Sequence, residues 1–153
     1  MLVNKIMQVL KNLFGLNKKI SASEIVFKDI NNSVFTLDHY LINMGTYSTE
    51  EQRVGTWIDG KPIYRKVVDT GTLPNSTGKQ ITHNISNVDQ VINIKGYAYR
   101  STDNVCLPLP HATYDNTAIT CYADRTKITI VTYATRSNFT TSYVALEYTK
   151  TTD

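Results

Sequence analysis

Residues 90–100 read "QVINIKGYAYR". Ile92, Ile94, Gly96 and Ala98 share one parity, and Tyr97 and Tyr99 share the other. Successive side chains of a strand point to opposite faces, so this spacing predicts a strand with one face toward a core. The other face then meets water or another subunit. The same alternation returns in "KITIVTYA" (127–134), through Ile128, Ile130 and Thr132, and in "SYVALEYT" (142–149), through Val144, Leu146 and Tyr148. Further strands are predicted at Thr56–Ile58, Ile63–Asp69, Lys79–Asn84, Val105–Pro108 and Ala118–Ala123. "DTGTLPNSTGK" (69–79) and "SNVDQ" (86–90) read as loops, and "ADRTK" (123–127) as a short hairpin connection. Short alternating strands punctuated by turn signals predict a mainly β fold. The expected form over residues 46–153 is an antiparallel β-sandwich of the jelly-roll kind.

The bulk composition agrees. The chain has 153 residues, of which 41% are hydrophobic and 19% charged, enough to bury the core of one domain with an appendage. Its 10 tyrosines and frequent threonines suit a pleated, half-buried surface. The formal charge of +3 comes without a clustered basic stripe, which argues against nucleic acid as a partner. No apolar run reaches the roughly 18 residues of a membrane span, and the N-terminus lacks the apolar core of a signal peptide.

Ahead of the β region lie two segments of helical character. In "MLVNKIMQVLKNLFGL" (1–16) the apolar residues gather on one side of a helical wheel and Asn4, Lys5, Gln8, Lys11 and Asn12 on the other. A helix this short is marginal alone in water and needs a surface to cover. With only Lys5 and Lys11 as basic residues on its polar face, a protein surface is expected, not a membrane. Residues 1–20 are therefore assigned to attachment or oligomerisation. In "SASEIVFKDINNSVFTLDHYLINMG" (21–45) the stretches Ile25–Ile30 and Val34–Phe35 flank a turn signal, which predicts a small hairpin. Thr36 then caps a short helix over Leu37–Met44, ended by Gly45. Leu37, Leu41 and Met44 form a single seam, suited to packing against identical seams of sister chains.

Two stretches near the start of the β region invite a chemical reading. "YSTEEQRVG" (47–55) has Ser48 and Glu51 at capping-box spacing, predicting one or two helical turns. "GTWIDGKPIY" (55–64) holds the only Trp beside an acid. Asp59-Gly60 reads as a two-residue type I′ hairpin turn, with Pro62 tolerated at a strand end. Asp59 is thus a turn former and not an acid catalyst, and Trp57 is expected to pin the hairpin to a neighbour.

No enzymatic constellation emerges. His39, His83 and His111 lack metal-ligand spacing and are expected to be structural, so no metal site and no cofactor are assigned. There is no nucleophile elbow, no phosphate-cradling glycine loop and no concentrated pair of carboxylates. Cys106 and Cys121 show no zinc spacing and are expected as reduced thiols, with a disulfide formed after release as the alternative. The tyrosines carry the functional lead. Tyr97, Tyr99, Tyr114, Tyr122, Tyr133, Tyr143 and Tyr148, with Trp57, offer flat faces with polar tips, suited to interfaces and to stacking on sugar rings. Tyr97, Tyr99, Tyr114 and Tyr122 are the candidate binding residues, against the alternative of cross-strand packing.

Residues 47–68, "YSTEEQRVGTWIDGKPIYRKVV", resemble a segment that recurs in bacteriophage virion proteins of the tail-fibre, head-fibre and minor structural kinds. "DTGTLPNSTGKQITHNISNVDQVINIKGYAYRS" (69–101) and "YVALEYTKTTD" (143–153) are similar to the loop, His-containing strand and terminal strand of those proteins. "SASEIVFKDINNSVFTLDHYLI" (21–42) is similar to a hairpin-plus-helix unit of fibre trimerisation segments, although that unit's helix is usually Gln-rich or acidic where this one reads "TLDHYLI". The resemblance implies a virion structural protein assembled as a homotrimer, with a distal β-sandwich and Trp57, Asp59 and Gly60 as structural signature residues. The leading expectation on this basis is attachment to other virion proteins through the N-terminal helix and adhesion to bacterial surface carbohydrate through the tyrosines. A capsid decoration or structural cap without host binding is the alternative.

Overall fold

The computed structural model describes residues 26–28, 34–36, 45–113 and 116–152. The helices expected within 1–20 and over 37–44, together with His39, lie outside the described residues. The chain divides into two compact units, Met1–Thr46 and Tyr47–Asp153. In the first, β1 (Val26–Lys28) pairs antiparallel with β2 (Val34–Thr36), with Phe27 opposite Phe35.

The regular elements of the second unit are all β-strands among its described residues. Its strands are β3 (Gln52–Thr56), β4 (Pro62–Asp69), β5 (Gly78–Thr82), β6 (Val88–Arg100), β7 (Val105–Leu109), β8 (Ile119–Ala123), β9 (Lys127–Thr132) and β10 (Thr141–Lys150). They form two antiparallel sheets: a five-stranded one in the order β3-β4-β10-β6-β7, and a three-stranded one in the order β5-β9-β8. One buried cluster draws on both. Val144, Leu146, Tyr148, Ala98, Val68 and Leu109 come from the larger sheet, and Ile128, Ile130, Ile119 and Cys121 from the smaller. Ile128 and Ile130 are 0% exposed. Burying side chains of that size contributes roughly 1.5–3 kcal/mol each before entropy is counted. The apolar parities of β9 and β10 thus face inward, as the alternation predicts.

The parity of β6 holds only in part. The pairing of β10 with β6 shifts between Glu147↔Asn93 and Tyr148↔Val91, so Ile92 has no residue opposite it. Such a bulge adds one residue and exchanges the faces beyond it. Ile94 and Ala98 keep the inward parity, but Val91, not Ile92, packs against the core. The predicted loop at 86–90 is also shorter than expected, because β6 already begins at Val88, which is 5% exposed.

The 69–79 segment is a loop over residues 70–77, held from inside by Leu73, 2% exposed, whose N–H donates to Phe139 O at 2.9 Å. Buried hydroxyls complete the hold. Ser142 Oγ donates to Gly71 O at 2.5 Å, so Thr70 must donate across the 2.6 Å contact between the two hydroxyl oxygens. Lys79 Nζ donates to Thr70 O at 2.6 Å and Thr72 O at 3.1 Å. In the 123–127 connection, Asp124 Oδ1 accepts from the N–H groups of Thr126 at 2.7 Å and Lys127 at 2.8 Å. These backbone donors hold its carboxyl below the usual range.

The hairpin at 55–64 corrects one expectation. Gly60 N–H donates to Trp57 O at 3.0 Å, and Trp57 N–H to Lys61 O at 2.8 Å. Gly60 has φ +87°, while Ile58 and Asp59 keep negative φ. The loop is therefore three residues, a type I turn followed by a left-handed glycine, and not the two-residue type I′ turn. The extra loop residue leaves Ile58 91% exposed at the tip. Asp59 remains a turn former, its Oδ1 accepting from Lys61 N–H at 3.0 Å. The hairpin is tied to the start of β6 through Lys61 Nζ and Asp89 Oδ2, 2.5 Å apart, and Pro62 opens β4 where a missing N–H is tolerated.

His83 lies just beyond β5 and is 2% exposed. Its Nδ1 accepts from Ile85 N–H at 3.2 Å, which leaves Nε2–H to donate to Asp124 O at 3.3 Å. Burial lowers its pKa below the ordinary 6.5, outweighing the opposing pull of Asp124. The unfolded chain then binds a proton more readily than the folded one in the window below 6.5. Stability is complete above that pH and declines as pH falls toward the folded value. Thermal melts across pH 7.5 to 5 are expected to show this decline, and His83→Gln to flatten it.

Candidate functional site

The outward face of the five-stranded sheet is set by the register. Tyr97 stands opposite Tyr143, Lys95 opposite Ala145 and Asn93 opposite Glu147. On the other side of β10, Ala145 stands opposite Val67 and Glu147 opposite Arg65. Large residues thus flank small ones, and a groove of about 480 Å³ runs over the face. Its floor is Val67, Ala145 and the backbone of Gly96. Tyr97 and Tyr143 form one wall, their rings 5.8 Å apart and inclined at 44°. Tyr47, Ser48 and Thr49 form the other.

The Tyr47 wall is built by the strap that leads into β3. Capping-box spacing predicts helical turns here, but the residues form a bend. Ser48 Oγ accepts from Glu50 N–H at 3.0 Å, and Ser48 O accepts from Val67 N–H at 2.8 Å. Glu51 never reaches back to Ser48. Its carboxylate takes the Tyr148 hydroxyl at 2.6 Å and Lys150 Nζ at 2.5 Å. A long-range acceptor role has displaced the local cap, and the strand begins at Gln52, earlier than predicted.

Two cations lie over the Tyr47 ring. Arg65 Cζ lies 4.7 Å from its centroid and Lys95 Nζ 5.1 Å. They differ in how they are neutralised. Arg65 gives Nε and a terminal nitrogen to Glu147 Oε1 at 2.9 and 2.6 Å, and Asn93 donates to Oε2 at 3.0 Å. Burial pushes the Glu147 carboxyl up, but the bonds from Asn93 and Arg65 and the charges of Arg65 and Lys95 outweigh it, so the group is held below the usual range. Lys95 is exposed and makes no ion pair among the described residues. Lys95 is the charged residue among those lining the groove, beside three tyrosine rings, and Asp69 stands opposite Tyr143 at the groove's end.

The four candidate binding tyrosines do not converge. Tyr97 is 44% exposed and lines the groove. Tyr99 shares its face, but its hydroxyl is engaged by Asn104 Oδ1 at 2.6 Å. Tyr122 stands on β8 of the other sheet, opposite Thr129, pointing away from the shared core. Tyr114 lies outside the described residues. Tyr143 carried a flat face in the sequence but was not singled out, and Tyr47 and Lys95 were missed. The signal for Tyr143 was its parity, opposite to Val144 and Leu146. Tyr148 is fully buried, and burial with the neighbouring Glu51 carboxylate drives its pKa upward.

Both cysteines are free. Cys121 is buried, which pushes its thiol up to about 11, while Cys106 is exposed on β7. Among the described residues no group of three metal-ligating side chains converges. No family model, no curated protein and no solved structure matches this chain.

Proposed function

We propose that the chain is a surface module of a bacteriophage virion that adheres to the bacterial envelope by binding saccharide without turnover. The observation that carries this reading is the groove, an aromatic-walled cleft on an open sheet face, with a floor and one wall on paired strands and the other wall on the strap that leads into β3. Tyrosine faces stack on the C–H faces of sugar rings while their hydroxyls serve the polar groups. A volume of about 480 Å³ falls in the range of small-ligand sites, about 300–1,000 Å³. The resemblance of residues 47–68 to virion fibre proteins supplies the virion context. The shared core supports reading the two sheets as a jelly-roll-like sandwich. Residues 1–45 are assigned to trimerisation and to attachment to other virion proteins, and three grooves per assembly strengthen a weak single-site contact by multivalency.

Light scattering tests the assembly. A mass near three times 17.3 kDa is expected, and a monomer contradicts it. Co-sedimentation with bacterial envelope preparations tests the adhesion. Saturable binding to at least one envelope that is reduced by Tyr97→Ala supports it. A second reading, a structural cap or capsid decoration, is favoured by Tyr122 and Tyr133, 52% and 59% exposed, as contacts between subunits. No binding to any envelope, with loss of assembly in Tyr122→Ala, favours that alternative.

A further inference from the structure

Resting on the adhesion reading, we infer that the groove selects an acidic saccharide, a pyranose unit bearing a carboxylate. The ring stacks on Tyr97 and Tyr143 and the carboxylate pairs with Lys95. Three observations converge. The Glu147 carboxylate is already engaged by Arg65 and Asn93, so Arg65 brings no unspent charge to a ligand. Lys95 does, because it lines the groove, is exposed and forms no ion pair among the described residues. Lys95 and Tyr97 are two residues apart on one strand face, about 6.6 Å along the strand. That spacing sets a cation beside a stacking face, within the span of one sugar ring and its acidic substituent. The small side chain of Ala145 keeps the floor low between the walls. A neutral sugar gains the stacking but leaves the ammonium of Lys95 unpaired. An anion without a ring gains the charge but leaves the tyrosine walls uncovered.

Calorimetric titration of the full chain tests this with two probe sets: oligogalacturonate and oligoglucuronate, and the same oligomers with their carboxylates reduced to alcohols. The acidic forms are expected to bind about tenfold more tightly than the reduced forms, as a charge-assisted bond at a half-open site would give. The preference is expected to shrink with added salt, to vanish in Lys95→Met and to persist in Lys95→Arg, all with unchanged thermal melts. Binding of uronic-acid and reduced oligomers with equal affinity overturns the inference and leaves the adhesion reading standing. So does envelope binding that is indifferent to Lys95→Met. Absence of binding to every saccharide and every envelope overturns both. Concentration-dependent protection of Tyr97 and Tyr143 without saccharide assigns the groove to contact between copies, and overturns the inference.

Discussion

Gly96→Ala is expected to destabilise the protein by about 3 kcal/mol, at the upper end of overpacking costs. Gly96 stands between Val144 of β10 and Leu109 of β7, in the interior of the five-stranded sheet. A Cβ added there would overlap the carbonyl oxygen of Tyr143 and press on Val144 Cα and Cγ2, both at 3.1 Å. The first two obstacles are backbone and cannot rotate away. The strands must separate, and the ladder bonds around Tyr143 and Val144 lengthen. A glycine inside a strand often marks such a close backbone approach. The loss corresponds to a fall in Tm of about 10 °C for a domain of this size. Urea unfolding checks it, and a midpoint within experimental scatter of the wild type would contradict the approach of β6 to β10. Since Tyr97 and Tyr143 sit on either side of this contact, saccharide binding should fall along with stability.

The second large effect separates binding from folding. Tyr97→Ala and Tyr143→Ala are each expected to weaken saccharide binding about thirtyfold, the magnitude of a contact hot spot near 2 kcal/mol. Their stability cost should be near 1 kcal/mol, because the lost ring–ring contact lies on the outward face. Tyr122→Ala serves as the matched control. It removes a tyrosine of similar exposure from the other sheet and should leave saccharide affinity unchanged. Equal losses from Tyr97→Ala and Tyr122→Ala would detach binding from the groove.

What the sequence revealed follows the range of the forces involved. Alternation is local, so the inward faces of β9 and β10 were legible from Ile128, Ile130, Val144 and Leu146. Turn chemistry is also local, and it bounded most strands to within a residue or two. The bulge at Ile92 was not legible, because it arises where two strands shift register, and nothing in "QVINIKGYAYR" marks it. The strap at Ser48–Glu51 misled for a related reason. Its capping-box spacing is genuine, but Glu51 is taken by Tyr148 and Lys150, far along the chain. At the hairpin the turn residues were correctly placed and the type was not, since Asp59 keeps a negative φ and only Gly60 crosses to the left-handed region. The groove was the least legible part. Tyr97 was identifiable by parity, but its partners Tyr143, Lys95 and Tyr47 come together through strand pairing and a strap. Neither is written in a local pattern.

The most direct measurement is a titration of isotopically labelled protein with solubilised envelope polysaccharide, followed by amide chemical shifts. The groove predicts perturbations at Tyr47–Thr49, Val67, Lys95–Tyr97 and Tyr143–Ala145, with β8 and β9 unmoved. Perturbations gathered on Tyr122 and its neighbours, or none at saturating polysaccharide, would contradict it.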